Sequence, residues 1–343
     1  MKALVMEQYK QFVYKDVETP SPGAGEVLIR VKAVAVCGSD LHGIDGSTGR
    51  RQPPVIMGHE GSGIIEKCGE GVKDYKPGDR VTFDSTIYCN TCSACKAGKV
   101  NLCKTRRILG VSSDEYNMPG AFAEYLVVPE YVLYRLPDAV SYTEAAMVEP
   151  LSVAYHAATR TSVPAGGIGM VVGVGTIGLL TQQVIASMGL TNIIAVDIDD
   201  KRLKTAKENG AMHCINSTDP NALQQILDIT GGEGVDIAYD ATGIEDTVNL
   251  CLNALKLDGA VVLIGNLSQR IGFPLQWVVT RQQSLFGSCA SAGEYDQCLE
   301  LIAEGKVDVA SMISKTVPLS EGGEWILRQY NREPGLYKLV LLP

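Results

Sequence analysis

The chain has 343 residues, 45% apolar and 20% charged, with a formal net charge of −9. That length suits about two domains with a large buried core, and the composition excludes a disordered chain. The acidic balance argues against an electrostatic footprint for nucleic acid or an anionic membrane.

The N-terminus, Met1 to Met6, meets Glu7 too soon for a signal peptide. No apolar run approaches the roughly 18 residues of a membrane span, so a cytoplasmic address is expected. Through residue 140, short β-rich runs alternate with Gly/Pro turns such as Ser21 to Glu26, Gly69 to Gly71 and Lys76 to Asp79. Val27 to Val36 and Ala123 to Val128 have the composition of strands. An irregular all-β domain over residues 1–150 is expected.

Two segments of this half carry chemistry. One is Cys37-Gly38-Ser39-Asp40-Leu41-His42; the other is Gly58-His59-Glu60. Glu149, just before Pro150, adds an acid at the boundary. Cys, His and carboxylate are the ligand types of a zinc site with an open position. His42 taken alone reads as a surface or core histidine. Between the segments, residues 43–54 hold Arg50 and Arg51 among glycines. They read as part of a solvated loop, or as a bidentate clamp for a phosphate or carboxylate.

There are ten cysteines, and without a secretory signal a disulfide framework is not expected. Four lie between residues 88 and 104 as C-x2-C-x2-C-x7-C: Cys89, Cys92, Cys95 and Cys103. Four thiolates at such spacing can close a tetrahedral shell around zinc with no open position, which describes a structural site. The rival, an iron–sulfur cluster, has a three-residue gap before its last Cys and a Pro after it; here the gap is seven and Lys104 follows. Cys68, Cys214, Cys251, Cys289 and Cys298 are isolated and read as inert thiols.

The second half, residues 151–289, changes rhythm. A strand-like run, Ile168 to Val172, leads into Gly173-Val174-Gly175-Thr176-Ile177-Gly178, then a helical pattern from Leu179 to Met188, then a strand, Ile193 to Val196, ending at Asp197. This is a G-x-G-x-x-G loop between strand and helix, with an acid about twenty residues after its start. Gly173 permits the turn, Gly175 lets backbone approach a pyrophosphate, and Gly178 lets helix and strand pack closely. The helix N-terminus offers free N–H groups to phosphates. Asp197 suits a ribose diol and repels a 2′-phosphate, which favours NAD over NADP; Lys201 and Arg202 just beyond it could soften that preference.

Further strands are expected at Met212 to Asn216, Val235 to Asp240, Ala260 to Gly265 and Ser284 to Ser288, with helices at Ala222 to Ile229 and Thr247 to Leu255. Alternating strands and helices imply a doubly wound parallel sheet. Ligands bind outside the carboxyl ends of such strands, which places Thr242 and Gly265 at the nicotinamide end. Residues 290–343 show one helical pattern, Tyr295 to Glu304, and a last strand, Leu339 to Leu342; they read as a return segment completing the first domain.

Taken jointly, the Cys-Gly-Ser-Asp segment with its His, Gly-His-Glu, the four-Cys lobe, Glu-Pro and the glycine loop with its Asp resemble the zinc-dependent medium-chain alcohol and polyol dehydrogenases. The resemblance runs through most of the chain. It implies α/β architecture, a Rossmann domain joined to a GroES-like irregular β domain. It implies catalytic zinc on Cys37, His59 and Glu60, with Glu149 near the metal directly or through water, and structural zinc on Cys89, Cys92, Cys95 and Cys103. It implies a proton path through Ser39 and His42, and NAD held by Gly173, Gly175, Thr176, Ile177, Gly178, Asp197 and Arg202. The expected reaction interconverts a secondary alcohol and a ketone, with a small polyol, sugar alcohol or sugar derivative as substrate.

A carboxylate at Glu149, where simple alcohol dehydrogenases have Cys, points by that resemblance to the polyol, sugar-alcohol and threonine dehydrogenase branch. Galactitol-1-phosphate and sorbitol dehydrogenases are the most similar in look. Sorbitol dehydrogenases, however, carry an Arg-Tyr pair just after the last Rossmann strand, where this chain has Ala290-Ser291. Threonine and 2,3-butanediol dehydrogenases remain alternatives, as does an NAD(H)-binding regulator on the same fold. The family implies homodimers or homotetramers.

Overall fold

The computed structural model describes residues 1–112 and 118–343. The chain divides into two units: Met1–Ser152 with Ala292–Pro343, and Val153–Ser291.

The first unit is built on strand Glu26–Ala35, whose apolar run Val27, Leu28, Ile29, Val31 and Ala33 to Ala35 is buried. One of its edges pairs antiparallel with Glu60–Cys68. Its other edge is shared end to end by Tyr125–Pro129 and the C-terminal strand Leu339–Leu342. The sheet extends through Arg80–Phe83 and Leu133–Arg135 on one side and Lys315–Pro318 on the other. Leu4, Met6, Val27, Ile29, Phe83, Phe122, Leu339 and Leu341 pack in one core. Burying an aliphatic or aromatic side chain of this size contributes about 1.5–3 kcal/mol, so the tail is integral to this unit.

The register of these strands sets up the site. Ala35 lies opposite Glu60 in one pair and opposite Val340 in the other. The residues that follow Ala35, begin the Glu60 strand and precede Leu339 therefore meet at one corner of the sheet. Gly58 turns the chain into that corner with φ +93°, and a Cβ there would run into the Phe122 ring. Both the backbone and the space require glycine before His59.

The second unit is a six-stranded parallel sheet in the spatial order His213–Asn216, Asn192–Asp197, Ile168–Val172, Val235–Asp240, Leu255–Leu263, Ser284–Gly287. Numbered along the chain, this is the 3-2-1-4-5-6 order of a dinucleotide-binding fold. Helices Thr176–Ser187, Asp200–Glu208, Ala222–Ile229 and Glu245–Ala254 connect the strands. The fifth strand starts at Leu255, five residues before the apolar run that marks it in the sequence. Its first turn of pairing, Val235 with Leu255, is separated from the rest by a register shift, and Asp258 adopts φ +60° there. Among the described residues no helix is long and apolar enough to cross a membrane.

Candidate active site and dinucleotide loop

At the sheet corner, one ligand atom each from Cys37, His59 and Glu60 lies within 4.8 Å of the others. Cys37 caps helix Gly38–Gly43: its sulfur accepts from the Ser39 N–H at 3.4 Å, and its own N–H donates to Asp40 Oδ2 at 3.2 Å. Asp40 is fully buried and shares Oδ1 between Arg51 Nη2 at 2.9 Å and His59 Nδ1 at 3.5 Å. Burial opposes its negative charge, but His59 and Arg51 together hold its carboxyl far below the usual range. Burial likewise disfavours charge on His59, yet the Asp40 carboxylate and the Cys37 sulfur raise its pKa well above that of free imidazole. The ring thus has Asp40 behind one nitrogen and leaves Nε2 towards Cys37 and Ser39 Oγ, which lies 3.4 Å away. Metal-binding imidazoles commonly have a carboxylate behind the far nitrogen; here the 3.5 Å approach of Asp40 is a charge contact rather than a hydrogen bond.

Arg51 is buried, so the solvated-loop reading fails for it. Its Nη2 donates to Asp40 Oδ1 at 2.9 Å and reaches Ser39 Oγ at 3.4 Å, so one arm of the guanidinium is turned to buried neighbours within the site. Arg50 is exposed. Ser39 and His42 are exposed, one helical turn apart on Gly38–Gly43, and no hydrogen bond joins their side chains among the described residues.

Of the two candidate acids, Glu60 joins the trio and Glu149 does not. Glu149 sits in the first turn of helix Val148–Ala158, where Pro150 sacrifices no helical hydrogen bond. Ser85 Oγ donates to its Oε1 at 3.3 Å. Burial, aided by the charge of Glu60, pushes its carboxyl up to about 7 against the pull of His59 and Lys338.

Two groups here escaped the sequence reading. Lys338 donates to Glu60 Oε2 from 278 residues away. Asp84 is buried, and burial, with Glu149 adding to it, pushes its carboxyl up to about 7; its Oδ2 has no partner among the described residues. An isolated Lys and an isolated Asp in β-rich segments carry no motif that could have marked them.

In the cysteine lobe, the four sulfurs lie within 4.8 Å of one another. Cys92 and Cys95 sulfurs are 3.5 Å apart, Cys89 and Cys95 4.0 Å. A tetrahedral zinc with bonds of about 2.3 Å spans sulfur–sulfur edges of about 3.8 Å, so the set fits that ion. The backbone is arranged for thiolates: the Cys92 N–H donates to Cys89 Sγ at 3.3 Å and the Cys89 N–H to Cys103 Sγ at 3.4 Å. Hydrogen bonds from Thr91 and the Cys92 N–H bring the Cys89 thiol down to about 5.

In the second unit, Gly173 has φ +85° and faces Thr242 Oγ1, and a Cβ on Gly178 would strike the Gly173 carbonyl. A Cβ on Gly175 would meet nothing within 4 Å, so the backbone there borders open space. Gly175 caps helix Thr176–Ser187 without a side-chain acceptor, leaving its first N–H groups for a ligand. Asp197 ends the second strand, accepting from the N–H groups of Val174 (2.9 Å), Ile198 (2.8 Å) and Asp199 (3.0 Å). Its carboxylate ties the glycine loop to the strand end, with Arg202 Nη1 3.8 Å away. Asp240 accepts from Thr242 and Gly243, folding the turn that packs on Gly265. These residues fit a dinucleotide.

Comparison with known proteins agrees with this geometry. Residues 23–138 match the alcohol dehydrogenase GroES-like domain and residues 176–304 the zinc-binding dehydrogenase family. Sorbitol dehydrogenase of Bacillus subtilis (strain 168) is 32% identical, over 100% of this chain and 97% of that protein. The chain belongs to the zinc-dependent medium-chain alcohol and polyol dehydrogenase family. Another member, L-idonate 5-dehydrogenase of Vitis vinifera, is 36% identical over 88% of this chain and 83% of its own. Among solved structures, galactitol-1-phosphate dehydrogenase from Escherichia coli superposes with a TM-score of 0.92 at 26% identity, covering 100% of both chains. As a member of this family the chain is an oxidoreductase that works with zinc and a nicotinamide dinucleotide.

Proposed function

We propose that this dehydrogenase interconverts a secondary hydroxyl of a polyol, sugar alcohol or sugar derivative with the corresponding ketone, using NAD. The observation that carries the reading is the convergence of Cys37, His59 and Glu60 within 4.8 Å beside the exposed Ser39 hydroxyl. The sorbitol, idonate and galactitol-phosphate enzymes similar to it are named for polyhydroxylated substrates, which supports that class.

Cys37 and His59 would hold the catalytic zinc, with a carboxylate from Glu60 or Glu149. Bound there, zinc supplies Lewis acidity that makes an alcohol hydroxyl far more acidic, and NAD supplies the hydride acceptor. Asp40 keeps the His59 ring oriented. Ser39 Oγ takes the substrate hydroxyl proton while giving its own, through an intervening hydroxyl or water, to His42, one turn on, which releases a proton to solvent. Such a positioned relay contributes about 10²- to 10⁴-fold in rate. Asp197 receives the ribose diol, the glycine loop and helix start receive the pyrophosphate, and Thr242 and Gly265 border the nicotinamide. Cys89, Cys92, Cys95 and Cys103 would hold a second zinc that stabilises their lobe.

Assembly into a homodimer or homotetramer is supported by exposed apolar residues near the last parallel strand, Leu275, Val279 and Leu285 among them.

The test is NAD reduction by zinc-loaded protein over galactitol, its 1-phosphate, xylitol, sorbitol, sugar acids, 2,3-butanediol and threonine, each with a chelator control and a Cys37→Ser variant. Turnover on a polyol that the chelator and the variant both abolish is the expected result. Turnover on threonine or butanediol alone would replace the substrate class. Silence with NAD bound would favour a regulator.

A further inference from the structure

Lys338 stands immediately before strand Leu339–Leu342, and its side chain is 3% exposed. Lysine is a strongly hydrated point charge and is almost never fully buried without a partner. Here the ammonium donates to Glu60 Oε2, itself on a side chain 1% exposed, and to the Val36 carbonyl at 3.2 Å. Both partners are next to the cluster: Val36 precedes Cys37, and Glu60 is one of its three members. The strand register that puts Ala35 opposite both Glu60 and Val340 fixes this meeting. No step of the proposed reaction uses Lys338. A buried charge pair costs several kcal/mol in desolvation, and packing alone would be served as well by an apolar side chain.

We propose that Lys338 is a positioning residue for the metal centre, clamping one oxygen of Glu60, leaving the other to meet a metal held by Cys37 and His59, and offsetting the negative charge gathered there. The proposal rests on the reading of the Cys37 cluster as the catalytic zinc site. It makes the C-terminal return segment part of that site: the last six residues supply the group that sets how Glu60 presents itself.

The test follows zinc release from the full-length, zinc-loaded protein to a chromophoric chelator, with cobalt-substituted protein as a spectroscopic check. Cys37→Ser assigns the phase that belongs to the Cys37 site. Lys338→Gln should speed that phase by about 10- to 100-fold, the usual effect of losing an outer partner of a metal ligand, and shift the cobalt bands. The four-cysteine phase should not change, and Lys338→Arg should restore slow release. In a Glu60→Gln background, adding Lys338→Gln should change release by less than about twofold, because coupled residues lose their separate effects. That double variant has no unpaired buried charge and reads the same coupling if Lys338→Gln alone fails to fold. Wild-type release from Lys338→Gln, or a tenfold further effect in the Glu60→Gln background, overturns the proposal. If Cys37→Ser leaves every phase unchanged, the assignment of zinc to Cys37 fails instead.

Discussion

Arg51 Nη2 donates to Asp40 Oδ1 at 2.9 Å, and that same oxygen lies 3.5 Å from His59 Nδ1. All three side chains are buried. The arginine thus stands behind the Cys37, His59 and Glu60 group, holding the carboxylate that faces His59.

Removing Arg51 leaves Asp40 buried with only His59 and the Cys37 N–H beside its carboxylate. Breaking a buried pair in this way costs about 3–5 kcal/mol. Arg51→Met should lower the denaturant midpoint by the equivalent of that loss. Its effect on turnover should fall equally on neutral and phosphorylated polyols. A selective rise in KM for the phosphorylated substrate would instead make Arg51 a substrate clamp.

Asp197 serves the glycine loop and, in the proposed complex, the ribose. Asp197→Asn keeps one carbonyl oxygen for the Val174 N–H while removing the charge that repels a 2′-phosphate. Hydrogen bonds to a charged group contribute about 1.5–3 kcal/mol, so NAD should bind roughly 10- to 100-fold more weakly. NADP should gain relative to it, helped by Arg202 at 3.8 Å. Titration of both cofactors by fluorescence checks this; an unchanged ratio removes Asp197 from the selectivity role.

Cys92 belongs to the four-sulfur set at residues 88–104, whose members come from one short segment. Metal binding by such a loop is folding free energy for it. Cys92→Ser should lower the thermal midpoint and the zinc content, while kcat measured at low temperature stays close to that of the parent. A variant with parental stability and no turnover would show the lobe to be catalytic.

Asp84 gives a pH signature. Its carboxyl titrates at about 7 in the folded protein because of burial and Glu149, against about 3.9 in an unfolded chain. Between those values the native state keeps a proton that the unfolded chain has lost, so stability falls as pH rises through the window. Asp84→Asn removes the effect. In metal-free protein, the stability gained by the variant should grow from pH 4 to about 7 and then level off, reaching on the order of 2–4 kcal/mol. An equal difference at pH 5 and pH 8 would show that Asp84 does not hold this proton.

Much of this protein is written in its local sequence. The glycine loop, its flanking strand and helix, and Asp197 lie within about thirty residues, and each is needed by backbone geometry or phosphate chemistry at a fixed offset. The cysteine lobe is likewise local, since four sulfurs on one short loop need no distant partner to converge. The alternation of strands and helices from Ile168 to Gly287 dictates a parallel sheet because parallel strands need crossovers. Cys37, His59, Glu60 and Glu149 were legible as residue types suited to zinc, with their convergence only implied by the family.

The tertiary structure decided what depends on pairing across the chain. Strand register placed Glu60 opposite Ala35, which brings its carboxylate beside Cys37 and His59. The return of Leu339–Leu342 to the same strand delivered Lys338 to Glu60. Burial turned Arg51 from a loop residue into the partner of Asp40 and raised the carboxyl of Asp84. The physical reason is common to all of these. A turn, a cap or a chelating loop is governed by residues a few positions apart, whereas burial and charge pairing are properties of space, and one sequence does not carry those distances.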